Sequence, residues 1–158
     1  MNLEEVEKFL KQGTPIEEAV KNFDWKEFEE LVKEIFESHD FKVKNNFRFK
    51  SEKRFEIDLL AINSKKVFCV DCKEWGKGRN KTSALKNAAE MQENRMNELE
   101  KFLKSNPVAS KMLKIDGKQE FLSLIVTWLE EDLIRESGTV VVPVWKLNSF
   151  LANPENYY

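Results

Sequence analysis

The stretch RFEIDLLAINSKKVFCVDCK, residues 54–73, decides how this chain folds. Phe55 to Ile62 and Lys66 to Lys73 are two runs rich in strand-favouring residues, separated by the turn sequence Asn63-Ser64-Lys65. The continuous apolar character of Val67 to Val70 predicts burial on both faces, as at the centre of a sheet. Into these apolar runs the sequence inserts Glu56 and Asp58 on the first and Asp71 and Lys73 on the second. Strand alternation sets Glu56 with Asp58 and Asp71 with Lys73, and pairing through the Asn63 turn would bring the acidic groups together at one end of the sheet. Neighbouring buried carboxylates are costly unless something neutralises them. A hard divalent cation such as Mg²⁺ does so, because it prefers carboxylate and water oxygens. A lysine two residues beyond a metal-binding aspartate can then orient or deprotonate a water and stabilise charge on a phosphate. An ordinary ion pair between strands is the plainer reading; it suits one Asp and one Lys but explains two interrupted apolar strands less well.

On the N-terminal side, residues 3–11 suit a short amphipathic helix ending near Gly13, and Thr14-Pro15-Ile16-Glu17 reads as a capping box. A second start, Asp24-Trp25-Lys26-Glu27, opens a helix whose Trp25, Phe28, Leu31, Val32, Ile35 and Phe36 form one buried stripe. From Phe41 the period becomes two: Phe41, Val43, Phe47 and Phe49 alternate with Lys42, Lys44, Arg48 and Lys50, and Ser51-Glu52-Lys53 makes a turn. On the C-terminal side, residues 76–80 form a flexible basic loop and Thr82 to Leu103 a long helix ended by Asn106-Pro107. Strands from Phe121 to Trp128 and from Thr139 to Trp145 and a closing helix near Leu147 to Leu151 complete the chain. The fold class is α/β, a central mixed β-sheet flanked by helices. Residues 1–22 form an N-terminal helical extension and residues 23–158 a single compact unit.

At 158 residues, with 41% hydrophobic and 34% charged residues, the chain is long enough to close a core and is neither disordered nor membrane-like. No apolar run approaches the roughly 20 residues of a transmembrane helix. The acidic start, Met1-Asn2-Leu3-Glu4-Glu5, lacks the basic and apolar regions of a signal peptide, so a cytoplasmic location is expected. The net charge of −2 hides a segregation: residues 41–90 carry thirteen Lys and Arg against six Asp and Glu, while residues 1–40 carry five against twelve. The basic middle third holds the candidate site and can attract phosphates, although lysines that merely solvate strand ends would give the same count. Cys69 and Cys72 have C-x-x-C spacing, but on a strand positions three apart face opposite sides, so buried, reduced thiols are expected. The single histidine, His39, reads as a solvated loop residue and argues against a Ser-His-Asp or Cys-His hydrolase.

Phe28-Glu29, Val32, Ile35-Phe36 and Asp40-Phe41, followed by Glu56-Ile57-Asp58 and Asp71-Cys72-Lys73, resemble the PD-(D/E)xK restriction-endonuclease-like superfamily, with the Mrr-like and archaeal Holliday-junction-resolvase-like branches nearest. The order and spacing span residues 24 to about 75, roughly a third of the chain. The resemblance implies a restriction-endonuclease-like core and a Mg²⁺-dependent DNA endonuclease, with Mn²⁺ able to substitute. It makes Asp58 the metal-binding aspartate, Asp71 the acidic member of the triplet, Lys73 the catalytic lysine, and Glu29 the first-helix glutamate that completes the metal shell directly or through water. Ile57 stands where the nominal proline would be, and Asp71 where glutamate is commoner. Glu56 and Gln92 are supplementary site candidates, with a strand ion pair (Glu56 to Arg54 or a lysine) and a helix face turned from the cleft as their plainer readings. Trp75, Lys77, Arg79 and Lys81 are candidates for contacts with the nucleic acid, or for wall packing and a solvated loop. Cutting both DNA strands would favour a homodimer. A catalytically silent nucleic-acid-binding module or partner subunit of the same fold is the chief alternative, and RNA as substrate lacks a recognition motif.

Overall fold

The computed structural model describes residues 8, 11–13, 25–73, 81–128, 131 and 134–158. The stretch at 54–73 forms two adjacent inner strands of a mixed sheet. Here β1 (Lys42–Lys50), β2 (Arg54–Ile62) and β3 (Lys66–Lys73) make an antiparallel meander. They are followed by β4 (Glu120–Thr127), the two-residue β5 (Arg135–Glu136) and β6 (Thr139–Pro143). The strand order is β1-β2-β3-β4-β6-β5, with β3, β4 and β6 mutually parallel along the sheet and β5 antiparallel at its edge. The helices are α1 (Trp25–Ser38), α2 (Lys81–Ser105), α3 (Pro107–Leu113) and α4 (Leu147–Ala152). The α/β class and the flanked mixed sheet agree with the sequence reading.

Two cores lie on the two faces of the sheet. On one, the α1 stripe of Phe28, Leu31, Val32, Ile35 and Phe36 packs with Phe150 of α4 against Leu59, Phe68, Val70 and Cys72. On the other, Leu99 and Leu103 of α2 pack against Leu60, Val67 and Cys69, while Leu85, Ala88 and Ala89 of α2 meet Ile125 and Val141. Cys69 and Cys72 therefore diverge, and both are buried free thiols whose pKa burial raises. Phe68 is completely buried and meets the rings of Phe36, Phe41 and Phe150 at centroid distances of 5.6, 5.5 and 6.0 Å. Because these rings come from three segments, Phe68→Ala is expected to destabilise the protein by about 3–5 kcal/mol, measurable by urea denaturation.

The alternation in β1 and β2 is not uniform. Val43 packs on the α1 side, whereas Phe47 and Phe49 pack on the α2 side. In β2, Phe55 and Ile57 face the α2 side, and so do Leu60 and Ile62, so odd and even exchange between Ile57 and Leu60. The exchange coincides with Asn46, whose φ is 49°; the register pairs Asn45 with Leu59 and Phe47 with Ile57, which leaves Asn46 opposite Asp58. Asparagine is one of the few residues with a side chain that adopts this left-handed backbone readily. Asp58 thus sits where the strand passes from one facing to the other.

Several boundaries differ from the sequence reading. Asn106-Pro107 ends α2 but also starts α3, because proline suits the first turn of a helix, where its missing N–H costs nothing. Ser110 then donates its hydroxyl to the Leu103 carbonyl at 2.8 Å, satisfying an end group of α2. The last long strand stops at Pro143, which cannot extend the ladder, and Val144–Lys146 turn as a 3₁₀ segment that leaves Trp145 half-exposed. The short β5 and the 3₁₀ turn Pro154–Asn156 carry too little periodicity to be anticipated. His39 is not simply solvated: its Nε2 lies 2.6 Å from Asn148 Oδ1 on α4. Of the N-terminal extension, Lys8 and Lys11 are helical and Gly13 has φ 78°, consistent with a helix ending there. The Thr14–Glu17 capping box, the boundary at residue 22 and the 76–80 loop lie outside the described residues.

Candidate active site

The β2–β3 ladder runs from Ile62–Val67 to Leu59–Val70, and the next opposed pair would be Asp58 and Asp71. Pairing stops there. The Cys72 amide instead donates to Asp58 Oδ2 at 3.1 Å, so a carboxylate replaces the ladder carbonyl. On its other edge β3 remains paired with β4 as far as Lys73–Thr127. β2 stays paired with β1 and β3 with β4 while the two part from each other, and a cleft opens between them at the acidic end.

That cleft is a cavity of about 380 Å³ lined by Trp25, Glu56, Asp58, Asp71, Cys72, Lys73, Gln92 and Arg95. Asp71 is buried, and its Oδ2 lies 3.2 Å from Lys73 Nζ. Burial, and then a hydrogen bond with Asp58, push the Asp71 carboxyl up to about 7, against the opposing charge of Lys73. Asp71 therefore tends to keep its proton up to near neutral pH, since a buried carboxyl beside another carboxylate is costly to ionise.

Glu29, one turn into α1, has its pKa raised first by burial and then by the Asp58 charge, while the Trp25 indole N–H donates to its carboxylate and opposes the rise. It feels the cluster electrostatically but is bonded to Trp25. Among the described residues no group of three or more His, Cys, Asp or Glu side chains is arranged to hold a metal ion, so Glu29 does not complete such a set with Asp58 and Asp71. Glu56 lines the cavity and pairs with Arg48 Nε at 3.2 Å, a cross-strand partner set by the β1–β2 register rather than Arg54 or a lysine. This pair is exposed and worth at most about 1 kcal/mol.

Gln92 of α2 does face the cleft. It is 1% exposed, its Oε1 accepts from Arg95 Nη1 at 3.1 Å, and its Nε2 has no hydrogen-bond partner among the described residues. Trp75, Lys77 and Arg79 lie outside the described residues; Lys81 opens α2, and its side chain is outside them too. Two cavity residues were not singled out from the sequence. Arg95 could have been found, because i, i+3 spacing places it beside Gln92 on one helix face. Trp25 was assigned to the buried stripe, yet it is 39% exposed on the cavity wall, because the stripe closes over the core only from Phe28 onward.

A protein of Archaeoglobus fulgidus described as uncharacterised is 33% identical over 134 residues, covering 84% of this chain and 93% of that protein. The crystal structure of a protein of unknown function, AF1548, superposes with a TM-score of 0.47 at 16% identity over 82% of this chain and 66% of that one. For protein VC1899 from Vibrio cholerae the TM-score is 0.43 at 13% identity, over 90% of this chain and 36% of that one. The family model described as the nuclease-related domain, NERD, matches residues 24–131, a span that contains both strand aspartates, Lys73 and the Gln92 helix, and the chain therefore belongs to the nuclease-related domain family.

Proposed function

We propose that this chain is a divalent-metal-dependent deoxyribonuclease that hydrolyses phosphodiester bonds at the Asp58–Asp71–Lys73 cleft. The observation that carries the reading is the pair of aspartates in one cleft, Asp71 buried and Asp58 held by the Cys72 amide, with the Lys73 amine 3.2 Å from Asp71. The motif order favours the Mrr-like and Holliday-junction-resolvase-like branches of the PD-(D/E)xK superfamily.

The donor set fits Mg²⁺ better than zinc: it offers carboxylate oxygens, and Mg²⁺ accepts one or two carboxylates with waters filling the rest of its shell. Asp58 and Asp71 would hold the ion, with Glu29 reaching it through water and Mn²⁺ able to take its place. When bound, such an ion supplies Lewis-acid polarisation and lowers the pKa of water. The chain's own residues do the rest. Lys73 holds its ammonium beside Asp71, where it orients the attacking water and offsets charge on the phosphate as the P–O3′ bond breaks. The Cys72 amide fixes the Asp58 carboxylate, so the pair is set before substrate arrives.

The test is incubation of the purified protein with labelled duplex, single-stranded and branched DNA in Mg²⁺, Mn²⁺ or EDTA. Cleavage with either metal and none in EDTA is expected. Cleavage in EDTA would overturn the metal requirement, and DNA left intact in every arm would overturn the enzyme reading in favour of a binding module.

A further inference from the structure

One wall of the cleft carries an aromatic ring that the hydrolytic chemistry does not need. Trp25 lies at the start of α1 with its ring edge-on to Phe28, at a centroid distance of 6.0 Å, and Phe28 in turn stacks on Trp128 at 4.4 Å. The indole N–H is committed to Glu29. The ring is therefore held from two directions while 39% of the residue stays exposed, unlike Phe28 beside it, which is fully buried. A tryptophan kept partly in water at a fixed angle forgoes the burial its size would otherwise supply.

The other wall carries Gln92 and Arg95. The Gln92 Nε2 is a buried donor with no hydrogen-bond partner among the described residues, an arrangement that costs free energy unless a ligand completes it. Arg95 spends one guanidinium N–H on Gln92, and its planar group suits a phosphate. The 380 Å³ space is at the small end of the range for organic-ligand pockets, roughly 300–1,000 Å³.

We infer that Trp25, with Gln92 and Arg95 opposite, forms a subsite for one unstacked nucleobase next to the scissile phosphate, so that the substrate is DNA with an unpaired nucleotide at the cut: a single strand, flap or junction. This rests on the nuclease reading above. In an intact duplex every base is stacked on its neighbours and unavailable to the indole, whereas a single-stranded base offers a π-face that any aromatic side chain can use. Stacking of this kind is tolerant of sequence, so the preference is for strand state rather than for a particular base.

The experiment uses the full chain in EDTA, so that binding is read without turnover. Fluorescence anisotropy with a labelled single-stranded oligonucleotide and its duplex is measured for wild type, Trp25→Phe and Trp25→Ala. Tighter binding of the single strand is expected, with Trp25→Ala losing about 10- to 100-fold and Trp25→Phe retaining most of the affinity. An abasic site walked along the strand should weaken wild-type binding at one position and have little further effect there in Trp25→Ala. Equal affinity of Trp25→Ala and wild type, preference for duplex, additive losses, or no binding by wild type would each overturn the subsite. The same oligonucleotides are then incubated with Mg²⁺. Non-additive binding without cleavage would remove the nuclease reading and leave the subsite, whereas cleavage with additive losses would do the reverse.

Discussion

Cleavage is expected to fall by roughly 10²- to 10³-fold or more in Asp58→Asn and in Lys73→Ala, while the fold persists. Asp58→Asn changes one oxygen to nitrogen and keeps an acceptor for the Cys72 amide now 3.1 Å from Oδ2. What it removes is half of the negative charge that the aspartate pair offers a cation. Lys73→Ala removes the ammonium 3.2 Å from Asp71 and leaves the carboxylates in place. The two variants should therefore resemble each other in activity and differ in stability. Metal-free Asp58→Asn should melt higher than wild type at pH 8, because a repelling charge is gone, whereas Lys73→Ala should melt lower, because Asp71 loses its counter-charge. Their double variant should cleave no more slowly than the worse single one, as for residues that act as a unit. Wild-type cleavage rates in both single variants would mean that the activity resides elsewhere.

How much of this was legible in the sequence depends on which interactions are local. The β2–β3 hairpin is local: a turn of three residues between apolar runs fixes its register, and that register alone brings Asp58 level with Asp71. The divergence of Cys69 and Cys72 follows from the same period of two. What period counting misses is a break in the period. Asn46, with its positive φ, reverses the facing of β1 and β2 beside Asp58, and nothing in the pattern of Phe47 and Phe49 distinguishes continued alternation from alternation that has switched sides. The cavity walls are harder still. Trp25 and Arg95 belong to helices far apart in sequence that the sheet brings together, and a partly exposed tryptophan at a helix start reads like the first member of a core stripe. Gln92 was legible only through its place on the long helix; its burial, and the lack of a partner for its Nε2 among the described residues, are tertiary properties.

Metal-free protein is expected to lose stability as pH rises from about 4 to about 7. Asp71 carries the effect: its carboxyl moves from 3.8 to about 7 on folding, first through burial and then through the hydrogen bond with Asp58. A folded-state pKa above the unfolded one means that the native protein holds a proton the unfolded chain releases. That contribution is fully present below pH 3.8 and is lost as pH climbs through about 7. The gap corresponds to roughly 4 kcal/mol as an upper bound, since each pH unit is worth about 1.4 kcal/mol, and the Lys73 ammonium is already counted against it. Melting followed by circular dichroism in EDTA should therefore show the midpoint dropping by several degrees across this window. Asp71→Asn, which keeps a hydrogen-bonding group at the same place without a titrating proton, should flatten the profile and melt above wild type at pH 8. Adding Mg²⁺ to wild type at pH 8 should restore the lost stability by mass action, with less effect at pH 5, where protons compete for the same oxygens. In Asp71→Asn the Mg²⁺ response should disappear. A midpoint independent of pH in wild type would show that Asp71 is not the titrating acid, and an unchanged Mg²⁺ response in the variant would show that it is not a metal ligand.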